Sequence, residues 1–384
     1  MYESNIQICM KNHHKSIYIT KPSLPPLVEF EKSLEKIWES GIITNNGPFH
    51  IEFEEALTKH LGFRHVSVFS NGTLALLSAL QALDISGEVI TTPFSFVATA
   101  HALWWNKIKP VFADIEQDYF TLDPEAIEKA ITPNTAAIMP VHVYGNPCRM
   151  DQIQKIADNH GLKVIYDAAH AFGVELNGHT ILQEGDLSVL SFHATKVFNT
   201  IEGGAIVSHD AGMKKHIDHL KNFGFEDEVT VVEPGINAKM NELQAAYGLL
   251  QLKTIDACIE KRRVITEKYR EMLERVPGIT FLKNMPGVKH NYAYFPILIE
   301  EKKYGISRDG LYDRLKENNI YGRRYFYPLI SSFPPYKELE SAIRKNLPVA
   351  HDIASRVLCL PIYPELESSI VEHIAEIIKN NANG

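Results

Sequence analysis

Short apolar runs alternate with segments in which apolar residues recur at helical spacing, from about residue 66 to residue 208. Continuous apolar runs are typical of strands buried on both faces of a parallel sheet, and the intervening patterns are typical of the helices that cover it. We therefore predict an α/β domain on a mainly parallel, seven-stranded sheet. The predicted strands are 66–70, 88–92, 110–114, 136–142, 162–167, 187–192 and 204–208.

The segments on either side of this alternation have different patterns. Residues 17–29 are rich in proline, which excludes a helix interior and predicts an extended arm. Helical patterns are present at 30–39 and 50–61, and a long one runs from Met240 to residue 273. Short strands and helices then predict a smaller α+β domain. The expected organisation is an arm (1–29), a large domain that carries the parallel sheet (30–252) and a small C-terminal domain (253–384).

Composition and charge narrow the class of protein. The 384 residues are 45% apolar and 22% charged, as in ordinary globular proteins of two domains. The net charge of −8 argues against a general nucleic-acid or membrane-surface binder. The four cysteines have no CxxC spacing and indicate reduced thiols rather than a disulfide framework or a metal site. No run resembles a signal peptide or a membrane span, so we expect a cytoplasmic protein. From the cysteine spacing, we expect no metal.

The residues that follow each predicted strand are the first candidates for a site, because ligands of parallel sheets bind beyond the carboxyl ends of the strands. After the first strand, Gly72 permits close backbone approach and Thr73 can cap the next helix. The free N–H groups of such a helix start bind phosphate well, although small polar caps also occur at most helix starts. After the second strand, Phe94 and Phe96 could stack on a flat ligand or pack in the core.

Two charged residues at strand ends carry more information. Asp167 ends an apolar strand, so its carboxylate faces the ligand crevice or is buried and paired; a helix cap or a structural ion pair is the alternative. His170 follows it. Lys196 lies between two buried-looking strands, five residues after Ser191, where a cation is costly unless paired, deprotonated or covalently used. Taken alone, a lysine on an exposed loop is the ordinary alternative.

The order of these elements favours one cofactor. A phosphate cradle, an aromatic ring, a carboxylate for a pyridinium nitrogen and a lysine for a Schiff base are the four elements that a pyridoxal phosphate site needs. We therefore predict such a site, with Lys196 as its covalent attachment point and Asp167 as the partner of the ring nitrogen.

The sequence also resembles a known family, the DegT/DnrJ/EryC1/StrS sugar aminotransferases, which are fold-type-I pyridoxal phosphate enzymes. The segments SNGTLALLSALQAL, DAAHAFG, SFHATKVFNTIEGGAIV and GINAKMNELQAAYGLLQL carry the resemblance from residue 70 to residue 252, and GPFHIEFEEAL and RRYFYPL match more loosely. Some members have histidine at the lysine position and act as dehydratases, so Lys196 favours transamination.

The resemblance implies a role for each candidate cofactor residue. Lys196 would form the Schiff base and then carry a proton, and Asp167 would pair with the pyridine nitrogen. Asn237 would reach the phosphate from the other subunit, because active sites of the family form between two subunits; a homodimer is therefore implied. Gly72, Thr73 and Ser191 would bind the phosphate. Phe96 would stack on the ring, and His170 would lie beside it.

The substrate implied is a nucleotide-linked keto-sugar, with L-glutamate as the amino donor. The segments TKPSLPPL, TNNGPFH and ITTPFSFVATAH resemble members that aminate dTDP-4-keto-6-deoxyglucose. Lys239, Arg323 and Arg324 are candidates to meet the diphosphate, or they are surface cations. Tyr325 and Tyr327 line the sugar pocket or belong to the core. A 3-keto-sugar or GDP-sugar transaminase stays open as an alternative, as does a non-catalytic cofactor-binding regulator.

Overall fold

The computed structural model describes residues 16–63 and 65–382. The α-helices are α1 Leu27–Ser40, α2 Pro48–Leu61, α3 Gly72–Ala82, α4 Ala98–Trp105, α5 Pro124–Ala130, α6 Met150–His160, α7 Ala211–Leu220, α8 Glu242–Leu252, α9 Ile255–Leu273, α10 Glu301–Tyr304, α11 Arg308–Glu317, α12 Pro348–Arg356 and α13 Ser368–Asn380.

The strands follow the same chain order. They are β1 Ile17–Tyr18, β2 His65–Phe69, β3 Glu88–Thr91, β4 Lys109–Phe112, β5 Thr135–Met139, β6 Lys163–Asp167, β7 Glu175–Leu176, β8 His179–Thr180, β9 Leu187–Ser191, β10 Gly204–Ser208, β11 Ile279–Phe281, β12 Val288–Lys289, β13 Phe295–Ile299, β14 Ile320–Tyr321 and β15 Val357–Leu360.

The central sheet has seven strands in the order β2-β10-β9-β6-β5-β3-β4. All neighbours pair in parallel except β10, which runs antiparallel to both β2 and β9. The seven predicted strands and the mainly parallel α/β architecture are therefore confirmed. Because β9 and β10 are antiparallel neighbours, the segment 192–203 that joins them turns back at one end of the sheet, and it carries Lys196.

Both faces of the sheet are buried, because alternate residues of each strand enter opposite cores. Val164 and Tyr166 of β6 belong to the core that includes residues of α2, α5 and α6. Ile165, between them, belongs to the core that includes residues of α3, α4 and α7. Burial on both faces is the physical reason for the continuous apolar runs of the sequence.

The C-terminal part has a core of its own. The sheet β11-β13-β15 packs with α9, α11 and α13 around residues such as Tyr269, Ile297 and Ile374. A further apolar cluster joins this part to the large sheet, since it contains both Phe94 and Phe326. The predicted domain boundary at residues 252–253 lies between α8 and α9, and the division itself stays a prediction.

The long helix predicted from Met240 is two helices. Asn241 begins α8 with a capping box, in which its side chain accepts from the Gln244 N–H while the Gln244 side chain accepts from the Asn241 N–H. The chain leaves the helix at Thr254, whose N–H donates to the Gln251 carbonyl and whose ψ is −4°. The prediction of one continuous helix was wrong because the apolar stripe continues across this break without a glycine or proline.

The smaller elements tie distant parts of the chain together. β1, in the predicted arm, pairs in parallel with β14, and β12 extends the β7–β8 hairpin. Three cysteines, Cys148, Cys258 and Cys359, are buried free thiols, and Cys9 lies outside the described residues. Within residues 16–63 and 65–382, we find no helix with the length and apolarity needed to cross a bilayer.

Candidate active site

A cavity of about 250 Å³ lies at the carboxyl ends of the central strands. Its walls come from the segments that follow β2, β3, β6 and β9, as the rule for parallel sheets requires. The residues predicted from the sequence that line it are Gly72, Thr73, Phe96, Asp167, His170, Ser191, Lys196 and Tyr325. Fold topology thus brings together residues that are up to 253 positions apart in the chain (325 minus 72).

The start of α3 is shaped for close approach by a ligand. Asn71, rather than Thr73, is the N-cap, and its side-chain oxygen accepts from the Leu74 N–H at 2.9 Å. A Cβ on Gly72 would lie 2.9 Å from the Ser191 Cβ, so the glycine lets the helix start meet the end of β9. The first N–H groups of a helix have no intrahelical acceptor, and Gly72 and Thr73 of this helix start line the cavity together with Ser191.

Asp167 is the buried carboxylate of the cavity, with 4% of its surface exposed. Its Oδ2 accepts from the Thr99 hydroxyl at 2.8 Å and its Oδ1 accepts from the Ala169 N–H at 3.1 Å. Burial raises the pKa of Asp167, while these two donors and the nearby Lys196 lower it. A carboxylate with both oxygens accepting is arranged as an ion, and each oxygen keeps a lone pair for a further donor.

Lys196 is held on the turn between β9 and β10. Its N–H donates to the His193 carbonyl at 2.8 Å, which fixes the turn that carries the side chain. Burial lowers the pKa of Lys196 to about 8, and the attraction of Asp167 opposes part of that shift. Roughly a tenth of the side chain is therefore a neutral amine at pH 7, far more than for an ordinary lysine, and the neutral amine is the form that acts as nucleophile or base.

His170 is buried in its neutral form. Its Nδ1 accepts from the Tyr144 N–H at 3.2 Å, so Nε2 carries the proton. Burial, and to a lesser extent the charge of Lys196, holds the pKa of His170 well below its usual range. The imidazole stacks on Phe326 with ring centroids 5.8 Å apart and an interplanar angle of 8°. The side chain is thus fixed as a hydrogen-bond donor at the cavity wall.

The two candidate aromatics after β3 have different environments. Phe94 is fully buried and meets Phe120, Tyr144 and Phe326 edge to face, so it belongs to the core. Phe96 lines the cavity but is 58% exposed. Its ring therefore lies at the mouth, available to cover a flat ligand, and ring stacking by Phe96 stays a prediction.

The other predicted residues do not line the cavity of a single chain. Asn237 is exposed on the segment between α7 and α8, and the Lys239 ammonium lies 4.6 Å from the centre of the Phe223 ring. Arg323 is exposed, and its backbone pairs with Cys359. Arg324 forms an ion pair with Asp309 at 2.8 Å and stacks, as Arg308 does, on Tyr327. Their roles in binding stay predictions.

Several cavity residues escaped prediction. Thr99 lies in an apolar segment and was not predicted. Its spacing of four residues from Ser95 at a helix start could have indicated it, because this spacing brings the two hydroxyls to 3.0 Å from each other. Tyr294 and Phe326 come from the C-terminal part, where no strand-end rule points to a site. His193 and Glu202 flank the lysine turn with 3.5 Å between Nε2 and Oε1, and only their nearness to Lys196 could have singled them out.

Comparison with known proteins supplies the family. The sequence profile of the DegT/DnrJ/EryC1/StrS aminotransferase family matches residues 28–379. The chain belongs to this family. Among solved structures, DesI in the presence of its TDP-sugar product aligns with a TM-score of 0.91 and 36% identity, over 96% of this chain and 93% of that one. This aminotransferase thus has the fold-type-I architecture predicted from its sequence.

Two curated relatives are similar to this aminotransferase over nearly their whole length. The dTDP-4-amino-4,6-dideoxy-D-glucose transaminase of Escherichia coli is 54% identical over 365 residues, which cover 95% of this chain and 98% of the relative. The enzyme of the same name from Shigella dysenteriae is 52% identical, with 95% and 99% covered.

Proposed function

We propose that this aminotransferase uses pyridoxal phosphate to aminate dTDP-4-keto-6-deoxy-D-glucose to dTDP-4-amino-4,6-dideoxy-D-glucose, with L-glutamate as the amino donor. The observation that carries the proposal is the shared cavity of Lys196 and the buried Asp167 carboxylate beside a glycine-bearing helix start. The identities of 54% and 52% to two transaminases of that name support the specific sugar.

The residues present fit pyridoxal phosphate. The Gly72–Ser191 contact leaves no room for a Cβ, and a Cβ on Gly204 would lie 2.8 Å from the Gly72 Cα, so both glycines keep the helix start open to a phosphate group. Asp167 has unused lone pairs for a pyridinium N–H. When bound, the cofactor acts as an electron sink that stabilises negative charge on the substrate carbon.

The chain's own residues would hold and move protons around that group. With its pKa lowered to about 8, the Lys196 Nζ is suited to attach to the cofactor aldehyde and, once released, to accept and return a proton as a general base. Asp167 would hold the pyridinium proton, and the His170 Nε2–H would donate to a nearby oxygen. Thr73 and Ser191 would hold the phosphate, and Phe96 would exclude water from the outer face of the ring.

A second copy of the chain would complete the site. The segment 221–240 exposes Asn237 and a set of apolar side chains, namely Phe223, Phe225, Val229, Val231, Val232 and Ile236, as expected of a segment that another subunit covers. In the proposed homodimer, Asn237 would reach the partner's phosphate site. Mixing Lys196→Ala and Asn237→Ala chains should then restore activity in heterodimers, since one site keeps both residues; no gain over the separate variants would contradict shared sites.

Arg323 and Arg324 are the proposed contacts of the substrate diphosphate. Arg324 would have to exchange its ion pair with Asp309 for a substrate diphosphate, whereas Arg323 is already exposed. Lys239 and Tyr327 are the remaining candidates, and Tyr325 lines the cavity where the sugar would lie. The relatives' activity favours the dTDP-linked 4-keto sugar over 3-keto and GDP-linked sugars.

The test is product analysis. The purified protein, loaded with pyridoxal phosphate, is incubated with L-glutamate and, separately, with dTDP- and GDP-linked 4-keto and 3-keto sugars, and products are identified by mass spectrometry with Lys196→Ala as control. We expect amination of dTDP-4-keto-6-deoxyglucose. Turnover of another keto-sugar instead would overturn the substrate, and cofactor binding without turnover or bleaching by glutamate would favour a non-catalytic regulator.

A further inference from the structure

A second, smaller cavity lies behind the wall of the active site. It has a volume of about 100 Å³ and is enclosed by α9, by the segment from β11 to β13 and by the turn at 143–146. Tyr294 lines both cavities, and Tyr144 stands beside it with ring centroids 5.5 Å apart. Apart from Tyr294, the described residues that line the second cavity differ from those that line the candidate active site, so we treat it as a distinct compartment.

Two neighbouring side chains of α9 bring hydrogen-bond donors to the lining of this cavity. Thr266 and Arg270 lie one turn apart on α9; Thr266 is 4% exposed, and its hydroxyl has no hydrogen-bond partner among the described residues. The Arg270 Nε is likewise buried without an acceptor in the described chain, although one terminal nitrogen donates to the Leu282 carbonyl at 2.6 Å. Unpartnered buried donors are costly and call for an acceptor.

A third donor comes from His290. Its Nδ1 accepts from the Tyr292 N–H at 2.8 Å, so the proton of the neutral ring lies on Nε2. His290 is one of the residues that line the cavity. Burial and the charge of Arg270 lower the pKa of His290 to about 4, which keeps it neutral near neutral pH.

The cavity has positive charge and no acidic partner. Arg270 forms no ion pair within residues 16–63 and 65–382, and the residues lining the cavity include no aspartate or glutamate. Lys283 stands exposed at the opening. The Arg270 side chain is half-buried, and its guanidinium lies 4.9 Å from the centre of the Phe281 ring. Burial lowers the pKa of Arg270, and no carboxylate lines the cavity to oppose that shift. A volume of this size suits one small ion rather than a nucleotide.

We propose that the cavity formed by Thr266, Arg270 and His290 binds a small oxyanion, the chemistry shared by inorganic phosphate and a small carboxylate. The anion would accept from the Arg270 guanidinium, the Thr266 hydroxyl and the His290 Nε2–H. It lies behind Tyr144, whose N–H fixes His170, so its binding would stiffen the back wall of the active site.

The binding test uses protein loaded with pyridoxal phosphate, so that the separate phosphate cradle at Gly72 is filled. Phosphate and acetate are titrated at constant ionic strength set with sodium chloride, and affinity is measured by calorimetry and by thermal shift. Arg270→Gln should weaken binding by about tenfold or more, since it removes a charged donor. The matched control, Arg275→Gln, removes an exposed charge just beyond the end of the same helix and should leave binding unchanged.

Two further readouts keep the proposal testable if Arg270→Gln does not fold. Thr266→Val removes an unpartnered buried hydroxyl, so it should leave the anion-free protein as stable or more stable while weakening anion binding several-fold. Crystals soaked in selenate should show an anomalous peak against Arg270. Saturable phosphate or acetate binding lost in these variants supports the site, and comparing the two titrations identifies the anion. Responses no larger than those to chloride, or equal in Arg270→Gln and wild type, would overturn it.

Discussion

Thr99→Val tests whether the site is built to keep the Asp167 carboxylate ionised. The Thr99 hydroxyl donates to Asp167 Oδ2 at 2.8 Å, and the two residues are 1% and 4% exposed. Valine keeps the branched shape of the side chain but removes the donor. A hydrogen bond to a charged group contributes about 1.5–3 kcal/mol. At 1.36 kcal/mol per unit, its loss should raise the pKa of Asp167 by about one to two units.

The sign of the pH dependence follows from linkage. Burial already raises the pKa of Asp167 in the fold above its ordinary value of 3.8, so stability is lost as pH rises from the unfolded pKa through the folded pKa. In Thr99→Val the folded pKa is higher still, and that loss continues to higher pH. The difference in the free energy of unfolding between wild type and variant should therefore grow with pH between the two folded pKa values and then stay constant.

Urea unfolding of the cofactor-free protein from pH 4 to pH 9 measures this difference. Thr91→Val is the matched control, because the fully buried Thr91 hydroxyl donates at 2.7 Å to a neutral acceptor, the Met139 carbonyl. It should cost about 1 kcal/mol at every pH. A Thr99→Val penalty that equals the control and does not change with pH would refute the reasoning.

Three other changes have direct readouts. Gly72→Ala puts a Cβ 2.9 Å from the Ser191 Cβ and should weaken pyridoxal phosphate binding, measured by equilibrium dialysis, by about tenfold or more, which corresponds to about 1.4 kcal/mol. In the control Gly310→Ala the new Cβ would have its nearest neighbour at 3.4 Å, and binding should not change. Equal effects of the two substitutions would contradict a phosphate site at Gly72. The rate at which Lys196 captures added pyridoxal phosphate should rise with pH and level off above about 8, because the neutral amine reacts; a flat profile would show that its pKa is not the controlling one. The fully buried Glu242 carboxylate accepts from two N–H groups in the first turn of α2, at 2.7 and 3.0 Å. Glu242→Gln should therefore lower the free energy of unfolding, measured in urea at neutral pH, by about 1.5–3 kcal/mol. A decrease below about 0.5 kcal/mol would contradict a capping role.

The sequence predicts the central sheet and the cofactor side of the cavity well because one physical rule governs both. Strands buried on both faces are continuous apolar runs, and in a parallel sheet their ends converge on one edge. Asp167, Ser191 and Lys196 could therefore be placed together, as they are in the structure. Gly72 was predicted to lie with them because a glycine at a helix start permits close approach of a ligand. The structure shows that Ser191 is its close neighbour.

Other features have no comparable signal in the sequence. Two-residue strands such as β12 and β14 are too short for a periodic pattern, so the pairing of the arm with residue 320 could not be foreseen. The break between α8 and α9 falls in a continuous apolar stripe. Arg324 is committed to Asp309 by a tertiary contact that no local pattern shows. The candidates for nucleotide binding were thus harder to place than the residues that line the cavity, because their positions depend on the packing of two parts of the chain.

The attachment point of the cofactor tests the central claim most directly. Protein incubated with pyridoxal phosphate is reduced with borohydride, which makes any bond between a lysine and the cofactor aldehyde permanent, and the modified peptide is identified by mass spectrometry. The account predicts modification at Lys196 in the wild type and none at that peptide in Lys196→Ala. Stoichiometric modification of a different lysine, or no modification at all, would contradict it.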